Sequence, residues 1–318
     1  MKCKKILTAL LAAACTMSGC HGDLDIMQDN KLSASNMWID ESDAETATYG
    51  IYLYMRDALK SVHDIYLCWG EFRNGLWGAG TNKTLSGMDQ TQVRTSTMSS
   101  SNAYADWSVM YKTVNQANLI LKHVPEMGIS ESVRNFSLGN AYFSRAWCYF
   151  WIARIWGDAP LALTGYESTA GDLYLPRAPK AEIFARIESD LTEAERYVTD
   201  NSDKAVATPA AVQMLKADYA LWMYRVAGGG SSYLTMAEKA IEALNLSASR
   251  LESDYAQVFS SANKLNKEVI FAVHQANGEA VNGPGYYLGW NSNYVEAAYQ
   301  NNPVPITGGN QWWWYTDR

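Results

Sequence analysis

The sequence predicts a mainly α fold: a stack of helical pairs carrying long loops and little β structure. Three observations carry this. Apolar residues recur at three- and four-residue spacing through a series of separate stretches. Capping residues, prolines and glycines bound those stretches and set neighbouring ones in pairs. Between them lie segments rich in Gly, Ser, Thr and Asn in which no period survives.

Taken in order, Asp43 to Leu59 reads as a helix, with Ala44, Ala47, Tyr49 and Ile51 through Leu59 supplying its apolar positions. Residues 63–102 read as long loops, and long ordered loops tend to carry function. Ala103 to His123 places Trp107, Met110, Val114, Ala117 and Leu121 on one face, and Pro125 and Gly128 end it. Ser137 to Trp156 is apolar nearly all round, the mark of a helix buried among others, and Gly157-Asp158-Ala159-Pro160 stops it. Pro179 to Val198 carries a clean stripe of Ile183, Ile187, Leu191, Ala194 and Val198, with Glu182 and Arg186 at i,i+4. Thr208-Pro209 starts the next helix with a capping hydroxyl and a proline at the first helical position. That helix carries Val212, Leu215, Tyr219 and Trp222. Gly228-Gly229-Gly230 separates it from a partner over Tyr233–Leu246. Val269 to Val273 is a short strand candidate.

The helices come in pairs, so the tetratricopeptide pattern is the natural template. Val212-x2-Leu215-x3-Tyr219 followed by Ala237-x3-Ile241 fits it in part, as does Trp107-x2-Met110-x3-Val114 followed by Ala146-x3-Phe150. The halves are too far apart and too irregular for a plain 34-residue repeat. A stacked helical array is what remains.

The front of the chain has the layout of a secretory leader: Lys2, Lys4 and Lys5, an apolar run from Ile6 to Met17, then Ser18-Gly19 before Cys20. The run is shorter than the roughly 20 residues that span a bilayer. A cysteine after small residues at its end is the pattern of a bacterial lipoprotein, with residues 1–19 as signal and Cys20 as the lipid attachment site. Cys15 is the rival acceptor, and an ordinary secreted protein with an incidental Cys20 is the rival reading. Several acyl chains on one cysteine anchor well, since each buried CH2 contributes about 0.8 kcal/mol.

The formal net charge of −7 falls to −10 once the leader, with three lysines and no acid, is removed. An acidic body disfavours nucleic acid and anionic lipid as partners. Cys68 and Cys148 remain beside Cys20, without a disulfide framework or a CxxC metal pattern. Cys148 sits in an apolar helical run and reads as a core thiol; a bridge to Cys68 has nothing to support it. The chain holds 12 Trp and 20 Tyr against 7 Phe. Trp and Tyr combine a flat apolar face with a polar handle, which suits a surface that grips something half polar.

Several segments together resemble the SusD/RagB family of outer-membrane lipoproteins. Asp23-Leu24-Asp25-Ile26 resembles the opening after the lipid cysteine. Ser33 to Tyr52, with Asn36-Met37-Trp38, Asp43-Ala44 and Gly50-Ile51-Tyr52, resembles the first helix. Arg145-Ala146-Trp147-Cys148-Tyr149-Phe150 leading to Trp156-Gly157-Asp158-Ala159-Pro160 resembles the most recognisable core helix. Pro176-Arg177-Ala178, Ile187-Glu188-Ser189-Asp190-Leu191, and Asp254-Tyr255 to Phe259 with Asn266-Lys267-Glu268-Val269-Ile270-Phe271 resemble the family's later elements. No single motif is specific; order and spacing over residues 20–318 carry the match.

The resemblance implies a scaffold of degenerate tetratricopeptide-like pairs (an α-α superhelix) with long loops and minor β, lipid-anchored at the cell surface. It implies a role in binding oligosaccharide or polysaccharide as the lid of a SusC-like TonB-dependent outer-membrane transporter, with no catalysis and no cofactor. Family members run longer past a motif like Tyr315-Thr316-Asp317-Arg318, so the resemblance also implies a fragment or a C-terminal truncation.

A sugar ring offers C–H groups on its faces and hydroxyls at its rim. Flat aromatics stack on the former, while Asn, Asp and Arg bond the latter. The loop from Trp69 to Trp77 holds all these types, and Trp69, Arg73, Asn74 and Trp77 are the first candidates for glycan binding. The same loop reads equally well as one anchored by inward tryptophans, with Arg73 in a local ion pair. Tyr286, Tyr287, Trp290, Asn291 and Tyr294, punctuated by Gly283, Gly285 and Gly289, form a second group, and Trp312 to Trp314 a third. Trp107, Trp147, Trp151, Trp156 and Trp222 lie on helical faces and read as scaffold.

Two further classes compete. A repeat scaffold that binds only protein would use the aromatics for partner contact. A glycosidase would need two carboxylates flanking one bond, and acids are plentiful here. No GxSxG, HExxH or phosphate loop is present, however, and His63, His123 and His274 are scattered. Asp23, Asp25 and Asp29 lack the glycine and terminal Glu of a calcium loop and read as solvating the tether.

Overall fold

The structure, a computed structural model, describes residues 37–70, 73–74, 77–79, 89–247, 250–275 and 313–315. The chain divides into two compact units, 1–39 and 40–318. Of the first only Met37–Ile39 is described, as a bend. The second is built of helices α1 (Glu41–Trp69), α2 (Asp89–Thr95), α3 (Ser108–His123), α4 (Glu131–Trp156), α5 (Lys180–Tyr197), α6 (Pro209–Arg225), α7 (Ser231–Ala243) and a single turn, α8 (Tyr255–Val258). Short strands β1 (Trp77–Ala79), β2 (Ala159–Pro160), β3 (Arg177–Ala178) and β4 (Trp313–Tyr315) form two antiparallel pairs, β1 with β4 and β2 with β3. The chain is mainly α, as the periodicity requires.

The helix ends follow from local chemistry. Asp40 and Asp43 cap α1 reciprocally: the amide of Asp43 donates to Asp40 Oδ1 at 3.1 Å, and that of Asp40 to Asp43 Oδ2 at 3.2 Å. The α6 helix opens on Thr208, whose Oγ1 accepts from the amide of Ala211 at 3.1 Å, with Pro209 in the first turn. The α4 helix closes on Gly157 at φ +73°, a backbone conformation that disfavours a side chain.

Packing is sequential. α3 lies on α4, α4 on α5 and α7 on α6, while α1 covers α3 and α4. The α5 stripe of Ile183, Ile187, Leu191 and Ala194 is buried, as are Met110 and Val114 of α3, Phe143, Tyr149 and Phe150 of α4, and Val212 and Tyr219 of α6. One carboxylate ties three helices together. Glu188 Oε1 on α5 accepts from the hydroxyl of Tyr219 on α6 at 2.8 Å and from that of Tyr233 on α7 at 2.6 Å.

The structure corrects five sequence expectations. The first helix runs ten residues past Leu59 to Trp69, so the loop region begins later. Residues 89–95 are helical, and the 103–123 stretch is a 3-10 turn at Ala103–Ala105 followed by α3. No strand forms at 269–273: the amide of Ala272 donates singly to Lys204 O, and Phe271 packs on Phe143 with ring centroids 5.4 Å apart. On α5, Arg186 reaches Asp190 at 3.6 Å rather than Glu182. Cys68 and Cys148 are both buried, and no disulfide joins them.

Candidate functional site

The last turn of α1 delivers Trp69 into the interior. Its indole is only 8% exposed, its Nε1 donates to Tyr104 O at 2.9 Å, and its ring meets Trp156 edge-on at 5.2 Å and Trp151 at 6.0 Å. Trp69 is therefore not displayed to ligand, and the inward reading of this residue is the one that holds. A buried indole needs a partner for its N–H, and the Tyr104 carbonyl supplies it. Just beyond, the Gly70 amide closes the helix on Tyr66 O, and the Arg73 amide turns back to Gly70 O at 3.3 Å. That turn leaves Arg73 and Asn74 exposed. Trp77 is placed by its backbone in β1, opposite Tyr315; Gly78 pairs with Trp314 and Ala79 with Trp313. The first and third aromatic groups of the sequence thus meet through backbone pairing. Cys20 and the second group, Tyr286, Tyr287, Trp290, Asn291 and Tyr294, lie outside the described residues.

Trp69 belongs to a chain of rings. Trp147 touches Trp151 (5.6 Å), and Trp69 bridges Trp151 to Trp156. Trp156 in turn touches Trp107 (6.2 Å), which touches Tyr111 (6.2 Å). This belt joins the C-terminal half of α4 to the start of α3. On one side Trp107 is scaffold, as its helical position implies. On the other it lines a groove that sequence reasoning does not find.

That groove, about 420 Å³, lies between α3 and the segment 160–175, with Trp107, Tyr111, Tyr166, Leu173, Tyr174 and Leu175 among its walls. Its size falls within the ordinary range for small-ligand pockets. The outer wall is strapped to α3 by side chains. Asn115 exchanges two hydrogen bonds with the backbone of Tyr166, at 3.0 and 2.7 Å. Asn118 donates to Ala162 O at 3.0 Å and to Thr164 O at 3.3 Å. The Tyr111 hydroxyl donates to Pro160 O at 2.6 Å, and burial pushes its pKa upward. Glu167 meets Lys122 and His123, its Oε1 2.7 Å from His123 Nε2. The Lys122 hydrogen bond is the largest cause holding the Glu167 carboxyl below its ordinary value. Gly165 presses against α3 so closely that an added Cβ would stand 2.9 Å from the Leu119 amide nitrogen.

The strap holds apolar groups in water. Tyr174 is 93% exposed and Leu173 43%. Arg177 lays its guanidinium over Trp107, 4.7 Å from the ring centroid. A faint signal exists in the sequence: Leu173-Tyr174-Leu175 interrupts a polar loop immediately after Gly171-Asp172. Among the described residues no group of three or more His, Cys, Asp or Glu could hold a metal ion, and no helix is long and apolar enough to cross a membrane.

Comparison with known proteins places this arrangement. A SusD-like family model, described as "Starch-binding associating with outer membrane", matches residues 78–222. SusD-like protein P38 of Formosa agariphila is 26% identical over 190 residues, 60% of this chain and 36% of that protein. A SusD superfamily crystal structure from Bacteroides fragilis superposes with a TM-score of 0.71 at 26% identity, covering 88% of this chain and 60% of the other. NanU of the same species gives 0.70 at 27%, covering 88% and 59%. The chain thus spans about a third of the curated relative and three fifths of the solved ones. Family model, relatives and folds point the same way, and over residues 78–222 the chain is similar to the SusD-like proteins.

Proposed function

We propose that this protein is a cell-surface lipoprotein, anchored through Cys20, that captures an oligosaccharide and delivers it to a SusC-like TonB-dependent transporter in the outer membrane. The observation that carries the reading is the joint SusD-like match of sequence and fold, whose family description is starch-binding in association with the outer membrane. The leader ahead of Cys20 supports the anchor. The exposed Arg73 and Asn74 support a hydroxyl-bonding surface beside β1, where Trp77 adds a stacking residue type. Tyr286, Tyr287, Trp290, Asn291 and Tyr294 remain candidates for the same surface.

Calorimetric titration of the leaderless chain with a panel of oligosaccharides tests the reading. Saturable binding without release of reducing sugar is expected, weakened by Arg73→Ala and Trp77→Ala. A chain that captures a transporter while binding no saccharide would instead be a protein-docking scaffold. Release of reducing sugar, abolished by one carboxylate substitution, would make it a hydrolase.

A further inference from the structure

Tyr174 stands almost wholly in solvent, yet the segment bearing it is among the most heavily fastened loops of the fold. Asn115, Asn118, Tyr111, Lys122 and His123 all bind it, and Gly165 brings its backbone against α3. Beside Tyr174 itself, the Asp172 carboxylate accepts from the Tyr174 amide at 3.0 Å, and the Tyr166 hydroxyl donates to Asp172 O at 3.2 Å. Such fastening fixes the backbone that carries an exposed aromatic ring next to an open groove, which reduces the ordering a ligand must impose on the loop.

The groove's chemistry selects the ligand. Trp107, Tyr111, Tyr166 and Tyr174 supply ring faces and hydroxyls, while Leu173 and Leu175 supply apolar wall. The charged groups bonded or stacked to these walls have both signs. Arg177 lies over Trp107, Asp106 holds the amide and hydroxyl of Ser108 at 2.8 and 2.9 Å, and Asp172 holds Tyr174. Neither sign dominates around these walls, so an ion of either charge is not favoured. That complements a neutral ligand with C–H faces and a hydroxyl edge. A protein partner would need roughly 800 Å² of surface on each side, whereas this concavity is on the scale of a small ligand.

We propose that the groove between α3 and the 160–175 segment is a saccharide subsite, with Tyr174 as its stacking residue and Trp107 in its wall. The subsite rests on the reading that the protein binds glycan, and it uses residues other than those of the 73–77 turn.

The test titrates the leaderless chain and its Tyr174→Ala and Leu173→Asp variants with neutral malto-, laminari-, xylo-, manno- and galacto-oligosaccharides of six or seven units. Tyr174 supports nothing beneath it, so Tyr174→Ala should keep the wild-type unfolding temperature. It should lose about three- to tenfold in affinity, the scale of one aromatic contact. The bound saccharide should also protect Tyr174 from nitration by tetranitromethane, read by peptide mapping. If the wild type binds but both variants bind equally well and Tyr174 is nitrated regardless, the groove proposal falls and the glycan reading stands. If the wild type binds none of the panel, the groove proposal falls with it. Reduced transporter capture by the variants at unchanged saccharide affinity would assign the groove to protein and overturn the proposal.

Discussion

Arg145 and Asp190 meet in the core as a two-pronged ion pair: Nε to Oδ2 at 2.8 Å and Nη2 to Oδ1 at 2.7 Å. Asp190 is fully buried. The remaining arm of Arg145, Nη1, donates to Asn118 Oδ1 at 2.7 Å, and Asn118 in turn holds the carbonyls of Ala162 and Thr164. A pair between α4 and α5 therefore continues to the strap on α3. Arg145→Met leaves the buried Asp190 carboxylate with Arg186 alone, at 3.6 Å, and should cost about 3–5 kcal/mol, seen as a lower denaturant midpoint. The double variant Arg145→Met, Asp190→Leu should recover much of that loss, because no buried charge is then left unpaired and Arg186 is open to water.

Gly165→Ala tests how closely the strap sits. Its Cβ would meet backbone of Leu119, which cannot move aside as a side-chain tip can. The strap must lift, at a cost of about 1–3 kcal/mol. Faster amide exchange over residues 161–170, with α6 and α7 unchanged, is the expected signature.

Acid should loosen the same strap. Glu167 has a folded pKa below its ordinary 4.5, chiefly through the Lys122 hydrogen bond and also through His123. Its contribution is complete above that ordinary value and is lost as pH falls through the depressed one. Glu167→Gln should lower the unfolding midpoint at neutral pH. The gap to wild type should close progressively below pH of about 4, as midpoints measured from pH 7 to pH 3 will show.

Cys68 and Cys148 should resist thiol reagents. Both are fully buried, and burial pushes the Cys148 thiol upward, away from the reactive thiolate. In a chain beginning at residue 21, Ellman's reagent should react about a hundredfold more slowly before denaturation than after it. Reductant should leave the unfolding temperature unchanged, since no bridge joins the two.

The helices are legible because burial and spacing coincide, as in the α5 stripe from Ile183 to Ala194. The last third of α1 is not. Ser61 to Asp64 breaks the apolar run there, although Ala58, Ile65 and Cys68 keep the helical spacing and are all buried. The α2 helix has one buried apolar residue, Val93, and so no period to detect. In the candidate site, Arg73 and Asn74 are legible as exposed loop polars. The fate of Trp69 is not, because an indole that finds a carbonyl inside has the same sequence appearance as one that faces a ligand. The groove escapes sequence reasoning because it arises from the docking of one segment on another, through asparagines whose partners are backbone atoms.

Strand β1 finds its partner at β4, where Trp77 faces Tyr315 across most of the polypeptide. Loop-closure entropy makes such distant pairing a late event in folding. A ribosome must release nearly all of these residues before Trp77 can be zipped into place, so the turn bearing Arg73 and Asn74 acquires its neighbour only after helical collapse is done. Clipping the handful of residues around β4 would leave the helices standing and yet undo the ribbon some 240 positions upstream.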